Sequence, residues 1–248
     1  MTSETSVAED EVARFTAMAD QWWDPTGDFA PLHKINPIRL EFIRDHLCGL
    51  AGRNPLSATP LKGLRMLDIG CGGGLLCEPL TRLGATVMGI DAGDKNINIA
   101  ANHAERMGLD ITYRNMSPEE AVAESLQFDV VLNMEVIEHV ADTSLFMEAC
   151  GALVKPGGAM VGATLNRTLK SLAFAKIGAE YVLRWLPAGT HDWRAFVKPS
   201  EFSALLRYEG FTVKDLKGLS YNPLFDEWTL GRDLGVNYLI FAVKSDAL

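Results

Sequence analysis

From residue 64 onward, short apolar runs alternate with segments whose apolar residues recur at helical spacing. Five runs predict strands at 64–69, 86–90, 111–114, 128–133 and 158–164. The intervening segments predict helices at 74–83, 93–107, 117–125 and 142–153. Such alternation indicates βαβ units, and therefore a parallel sheet with helices on both faces. After a helix at 199–208, runs at 211–219 and 238–243 complete a mostly parallel, seven-stranded α/β fold.

Two further helices are predicted ahead of this alternating region. Residues 9–23 carry an apolar stripe at helical spacing. Asn36 followed by Pro37 is typical of a helix start, because proline suits the first helical position. We expect residues 1–8 to be disordered and 52–63 to be a connector.

The pattern indicates one domain, 1–248, made of consecutive parts. These are an N-terminal helical segment (1–52), a core (64–164), an insertion (165–197) and the C-terminal part of the sheet (198–248). The insertion is extra, because the helix at 199–208 already connects the fifth and sixth strands. We expect it to form a helical lid.

Composition narrows the class of protein. The chain has 248 residues, of which 48% are hydrophobic, and a net charge of -9. This charge argues against a nucleic-acid binder, which needs clustered basic side chains. The four cysteines form no CxxC pair, which fits a reducing compartment. With no secretory signal and no apolar run of about 20 residues, the sequence predicts a cytoplasmic protein.

The segment MLDIGCGGG, residues 66–74, joins the first strand to the next helix. In a doubly wound sheet this turn borders a ligand site, and glycine permits close approach and positive φ. The dinucleotide fingerprint requires another glycine where this chain has Leu75, which argues against a nicotinamide oxidoreductase. Asp91 ends the second strand, 21 residues after Gly70, where a carboxylate can bind a ribose diol.

These features resemble motifs I and II of the class I S-adenosylmethionine-dependent methyltransferases, over residues 64–164. The resemblance implies a Rossmann-like fold with S-adenosylmethionine as cofactor. It implies Gly70 and Gly72 beneath the methionine part of the cofactor and Asp91 on its ribose. It also implies Met134, at the end of the fourth strand, beside the adenosine; a core methionine is the alternative.

Three flanking stretches, 15–40, 165–193 and 218–238, extend the resemblance to nearly the whole chain. With the core, they resemble the bacterial ubiquinone-biosynthesis O-methyltransferases. That family's reactions methylate a 2-polyprenyl-6-hydroxyphenol and 3-demethylubiquinol. The resemblance implies Arg39 as a cofactor contact, since a guanidinium can clamp a carboxylate through two hydrogen bonds. On the sequence alone, a solvated helix face is the alternative for Arg39.

The chemistry of methylating a phenol adds candidates from the segment MEVIEHV, 134–140. A phenol with a pKa of about 10 is mostly protonated at neutral pH, so a base or a metal must assist. Spacings of three and four place Glu135, Glu138 and His139 on one helical face, where we expect them to bind Mg²⁺. The resemblance agrees, since eukaryotic relatives are described as magnesium-dependent. Alternatives are His139 as a metal-free general base and a salt-bridged helix N-terminus. His191, the second candidate base, is expected to be a surface residue or cap.

The insertion combines apolar and aromatic surface with five basic and two acidic side chains. Such a segment suits a bilayer interface with anionic lipid. We expect 165–197 to make peripheral membrane contact that admits the polyprenyl substrate; a lid packed on the core is the alternative. A biosynthetic complex is a further expected partner.

Two other functions stay open. One is an O-methyltransferase for another phenolic or lipid small molecule. The other is a cofactor-binding scaffold without catalysis, against which the complete glycine turn and the Glu135/Glu138/His139 set argue.

Overall fold

The computed structural model of the chain describes residues 5–173, 193–222 and 224–246. Over these residues, eight strands form one sheet in the order β3-β2-β1-β4-β5-β8-β6-β7. The strands are β1 Arg65–Ile69, β2 Thr86–Asp91, β3 Thr112–Asn115, β4 Phe128–Met134, β5 Val154–Leu165, β6 Phe211–Asn222, β7 Glu227–Gly231 and β8 Asn237–Lys244. Strands β1 to β5 pair in parallel, and β8 pairs antiparallel with both β5 and β6.

Helices cover both faces of the sheet. They are α1 Glu9–Met18, α2 Ala30–Ala51, α3 Cys77–Arg82, α4 Asp94–Arg106, α5 Pro118–Ala123, α6 Thr143–Leu153, the single turn α7 Leu169–Ser171, and α8 Pro199–Tyr208. Short 3-10 helices lie at Ala19–Gln21, Ile137–His139 and Trp193–Ala195. The predicted mostly parallel α/β fold is confirmed.

The strand count differs from the prediction of seven. Strand β6 runs on to Asn222, and the chain returns as β7, which pairs antiparallel with it along the sheet edge. β7 has five residues of mixed exposure, so its hydrophobic pattern is too short to read as a strand.

The second helix does not begin at Asn36–Pro37, as predicted. It begins at Ala30, and Pro31 lies in its first turn, where a missing N–H breaks no helical hydrogen bond. Pro37 lies inside the helix. The same helix buries Asn36 and Arg39.

Two hydrophobic clusters fill the space between the sheet and its helices. Consecutive strand residues point to opposite faces, so Met66 and Leu67 of β1 belong to different clusters. Met66 packs in the cluster that includes side chains of α2, α3 and α4. Leu67 packs in the cluster with side chains of α5, α6 and α8. None of the described helices combines the length and apolarity needed to cross a bilayer.

Close packing in the second cluster gives a stability prediction. A Cβ added to Gly162 of β5 would lie 2.7 Å from the ring of Phe202, which is fully buried. Gly162→Ala should therefore lower the free energy of unfolding by about 1–3 kcal/mol. Gly49→Ala is the matched control, because an added Cβ there meets no atom within 4 Å. Gly49 lies in α2, so this change should raise the free energy by about 0.5–1 kcal/mol. Denaturant unfolding measures both; equal effects would contradict the packing argument.

Candidate active site

The described residues enclose a cavity of about 720 Å³ at the carboxyl ends of β1, β2 and β4. Six of the eight predicted site residues line it: Arg39, Gly70, Asp91, Met134, Glu135 and His139. Gly72 and Glu138 are not among its lining residues. The structure thus brings together side chains that are up to 100 positions apart in the sequence.

The glycine turn is shaped by contacts within the protein. Gly70 and Gly72 adopt φ of +64° and +53°, the left-handed region that favours glycine. A Cβ on Gly72 would lie 2.3 Å from the Trp22 ring, and one on Gly70 would lie 2.6 Å from Val136. Gly72 therefore lies beneath the Trp22 indole. The resemblance implies that the methionine part of a cofactor lies above this residue.

Asp91 is held by three donors at the end of β2. Its Oδ1 accepts from the Gly93 backbone at 2.8 Å and from the Asn96 amide at 3.0 Å. Its Oδ2 accepts from the Gly72 backbone at 3.0 Å. Burial raises the pKa of Asp91, and the three hydrogen bonds oppose that rise. A carboxylate oxygen has two lone pairs, so Oδ2 can accept one more hydrogen bond from a ligand in the cavity.

The N-terminal segment forms one wall of the cavity, which the sequence did not reveal. The expected disorder is wrong for residues 5–8: Ser6 is buried, its N–H donates to Glu119 at 3.2 Å, and its carbonyl accepts from Ala141 at 2.8 Å. Residues Ser6, Val7, Ala8, Glu11, Val12 and Phe15 line the cavity. Farther along, the Trp22 indole donates to Asn96 at 2.9 Å. The helical spacing of apolar residues in 9–23 predicts a helix with one apolar face, but it does not identify what that face packs against.

His139 is fixed by two side chains of this N-terminal wall. Its Nδ1 lies 2.7 Å from Glu11 Oε2. The Phe15 ring meets the imidazole edge-on, with centroids 5.2 Å apart and the planes at 79°. A carboxylate at one ring nitrogen sets the tautomer and directs the other nitrogen to accept a proton.

Arg39 meets Glu135 in the cavity wall. Arg39 Nη2 donates to Glu135 Oε1, and Nη1 lies 3.5 Å from Asn36 Oδ1. The Arg39 side chain is 3% exposed and that of Glu135 is 26% exposed. Arg39 Nε has no partner among the described residues.

The predicted magnesium set does not assemble. The expectation required one helical face, but β4 ends at Met134 and only Ile137–His139 form a 3-10 turn. Glu135 precedes that turn with φ of +61° and points to Arg39. His139 pairs with Glu11, and Glu138 is buried outside the cavity wall. Within the described ranges, no three His, Cys, Asp or Glu side chains are placed to hold a metal ion. The three predicted residues therefore do not fit a shared Mg²⁺ site.

Glu138 and Asp68 are two further carboxylic acids buried near the site. Neither Glu138 oxygen has a hydrogen-bond partner among the described residues, and burial raises the pKa of Glu138 to about 7. Asp68 of β1 lines the cavity and accepts from the Cys77 thiol at 3.2 Å. Burial also raises the pKa of Asp68 to about 7.

Apolar and aromatic side chains make up much of the rest of the cavity lining. Leu32 and Ile35 of α2 line it, as do Tyr221 and Trp228 from the β6–β7 hairpin. The sequence pattern did not predict this hairpin. His191 and most of the predicted lid lie outside the described residues, which include only the ends of the lid, α7 and the turn at Trp193–Ala195.

Comparison with known proteins places this site in a family. A family described as "Methyltransferase domain" matches residues 40–216. The ubiquinone biosynthesis O-methyltransferase of Chelativorans sp. (strain BNC1) is 53% identical over 98% of this chain and 96% of its own. The protein of the same name from Paramagnetospirillum magneticum is 54% identical over 96% of each chain. That from Dinoroseobacter shibae is 53% identical over 98% of this chain and 99% of its own.

Solved structures agree on the fold. Magnesium protoporphyrin IX methyltransferase from Synechocystis PCC 6803, with bound SAH, superposes with a TM-score of 0.65 at 18% identity, covering 96% of this chain and 94% of that one. A SAM-dependent methyltransferase from Methanosarcina mazei gives 0.55 at 19% identity, covering 74% of this chain and 93% of that one. The family match, with relatives about half identical over nearly the full chain, shows that the protein belongs to the methyltransferase family and that its relatives are O-methyltransferases of ubiquinone biosynthesis.

Proposed function

We propose that the protein is an S-adenosylmethionine-dependent O-methyltransferase of ubiquinone biosynthesis, which methylates 2-polyprenyl-6-hydroxyphenol and 3-demethylubiquinol. The observation that carries the proposal is a cavity whose lining is polar in part and apolar in part. Asp91, Arg39 and His139 form its polar wall, and other lining side chains, such as Leu32 and Trp228, are apolar or aromatic. A polar cofactor and a prenylated phenol require that combination. The near full-length identity to the named relatives supports this substrate class.

The polar wall fits the cofactor. We assign Asp91 to the ribose diol, because Oδ2 retains an acceptor site. Gly70 borders the cavity without a side chain, and Met134 offers a polarizable contact to the adenosine. Arg39 is assigned to the methionine carboxylate, since it is the buried cation of this wall. When bound, the cofactor supplies the methyl group on its sulfonium.

His139 is the residue we assign as general base. The phenol must lose its proton before its oxygen can take the methyl group, and imidazole titrates near neutral pH. Glu11 at Nδ1 orients the ring, so Nε2 is the nitrogen that receives the phenolic proton. The methylated oxygen, a protonated imidazole and a neutral thioether are the products of the step.

Replacing His139 tests this assignment. His139→Gln should lower the kcat for methyl transfer to a short-chain prenylated catechol by about 10²–10⁴-fold, because general base catalysis contributes that much. Binding of S-adenosylhomocysteine (SAH), measured by calorimetry, should remain. Labelled S-adenosylmethionine reports the transfer, and an unprenylated catechol run in parallel tests the preference for the prenyl chain.

His46→Gln is the matched control. His46 Nε2 also lies near a carboxylate, Asp215, at 2.9 Å, but His46 is not among the cavity-lining residues. Its replacement should leave the rate unchanged. A His139→Gln enzyme that keeps more than half of the wild-type kcat would overturn the base assignment. Equal rates with both catechols would favour another phenol as substrate.

Glu138 gives a prediction of pH dependence. Its pKa is about 7 in the folded protein, against an ordinary value of 4.5. Between these values the folded protein keeps a proton that the unfolded chain releases, so the free energy of unfolding falls as pH rises through this window. The loss from this one buried group is at most about 3 kcal/mol. Asp68 adds a loss of the same sign.

Glu138→Gln should reduce that loss. Denaturant unfolding at pH 5 and pH 8 should show a smaller decrease in stability for the variant than for the wild type, by about 2–3 kcal/mol. Glu105→Gln, at an exposed position of α4, is the control and should follow the wild type. Parallel pH profiles of Glu138→Gln and wild type would contradict the assigned burial.

We also propose that the 165–197 segment contacts anionic membrane and admits the prenyl chain. The described start of the segment supports this, because Leu169 of α7 exposes 79% of its surface. The full chain should sediment with anionic vesicles more than with zwitterionic ones, and Leu169→Asp should sediment less. Leu56→Asp is the control, since Leu56 is 82% exposed on the connector. No sedimentation of the wild type with anionic vesicles would overturn this proposal.

A further inference from the structure

Arg39 and Glu135 form an ion pair in the cavity wall. A ligand carboxylate could therefore bind Arg39 only by joining or displacing Glu135. Arg39 Nη2 donates to Glu135 Oε1, and both residues line the cavity. The guanidinium is almost fully buried, whereas the Glu135 side chain is 26% exposed. Glu135 is therefore the partner that can move toward solvent, and its departure would leave a buried guanidinium that needs another anion.

The backbone at Glu135 directs its side chain to this place. Its φ of +61° is unusual for a residue with a side chain. The Glu135 N–H donates to the Ala163 carbonyl at 2.8 Å, which fixes this conformation to the neighbouring strand β5. Such locally strained residues cluster at functional sites.

We infer that Glu135 occupies Arg39 in place of the cofactor's carboxylate and is exchanged for it when the cofactor binds. This inference rests on the proposed function, which assigns Arg39 to that carboxylate. Exchanging one carboxylate for another keeps the buried guanidinium paired in both states, so neither state has an isolated buried charge. The released Glu135 carboxylate then faces the cavity where the phenolic hydroxyl must bind.

The inference predicts the sign of a binding change. If Glu135 competes for Arg39, Glu135→Gln removes the competitor's charge, and SAH should bind about tenfold more tightly, which is the value of one charged hydrogen bond. If Glu135 only holds Arg39 in place, the same variant should bind SAH more weakly. Calorimetry gives both dissociation constants without turnover.

Two controls separate exchange from other causes. 5′-Methylthioadenosine lacks the amino-acid carboxylate, so its dissociation constant should be the same for wild type and Glu135→Gln; this also shows that the variant is folded. In an Arg39→Gln background, Glu135→Gln should no longer tighten SAH binding. Tightening that persists in that background would indicate plain repulsion between carboxylates and would overturn the exchange.

The outcomes also distinguish this inference from the proposed function. Unchanged or weaker SAH binding by Glu135→Gln, with SAH still bound by the wild type, would overturn only the exchange. A wild-type protein that binds neither SAH nor 5′-methylthioadenosine would overturn the proposed function itself.

Discussion

The hydrogen bonds of one carboxylate connect the parts of this site. Asp91 accepts from the glycine turn through Gly72 and from α4 through Asn96. Asn96 in turn accepts from Trp22, whose ring covers Gly72. Three hydrogen bonds hold a charged acceptor strongly. They therefore fix the ends of β1 and β2 relative to each other, and through Asn96 and Trp22 they also fix the N-terminal segment. Asp91 and the N-terminal wall of the cavity are thereby positioned together.

This arrangement explains why the catalytic candidate depends on residues far away in the sequence. His139 follows β4, but the side chains that orient it, Glu11 and Phe15, come from α1. The N-terminal segment thus forms a wall of the cavity. A fold of this type supplies the strand ends, and the chemistry depends on what the flanking segments add to them.

Which features can be predicted from the sequence depends on how far apart the interacting residues lie along the chain. Periods of two and 3.6 are local, so the strands and the α/β class could be predicted, and so could Asp91 at the end of β2. The contact of Trp22 with Gly72 spans 50 residues and has no local signature. The expected face of Glu135, Glu138 and His139 assumed α-helical spacing, which the left-handed residue Glu135 breaks. The sequence predicts a helix start at Asn36–Pro37 because proline is favoured at the first helical position, but Pro37 lies inside α2.

The free-energy cost of the Arg39–Glu135 pair also bears on its role. The Arg39 guanidinium is almost fully buried, and burying a charge costs free energy that its partner must offset. Glu135 adds about 1–3 kcal/mol of backbone strain at its left-handed position. A pair that is costly in both respects and lies in a cavity wall is better explained by what it binds. A guanidinium that must accept an anionic ligand needs a substitute anion whenever the ligand is absent, and Glu135 supplies it from within the chain.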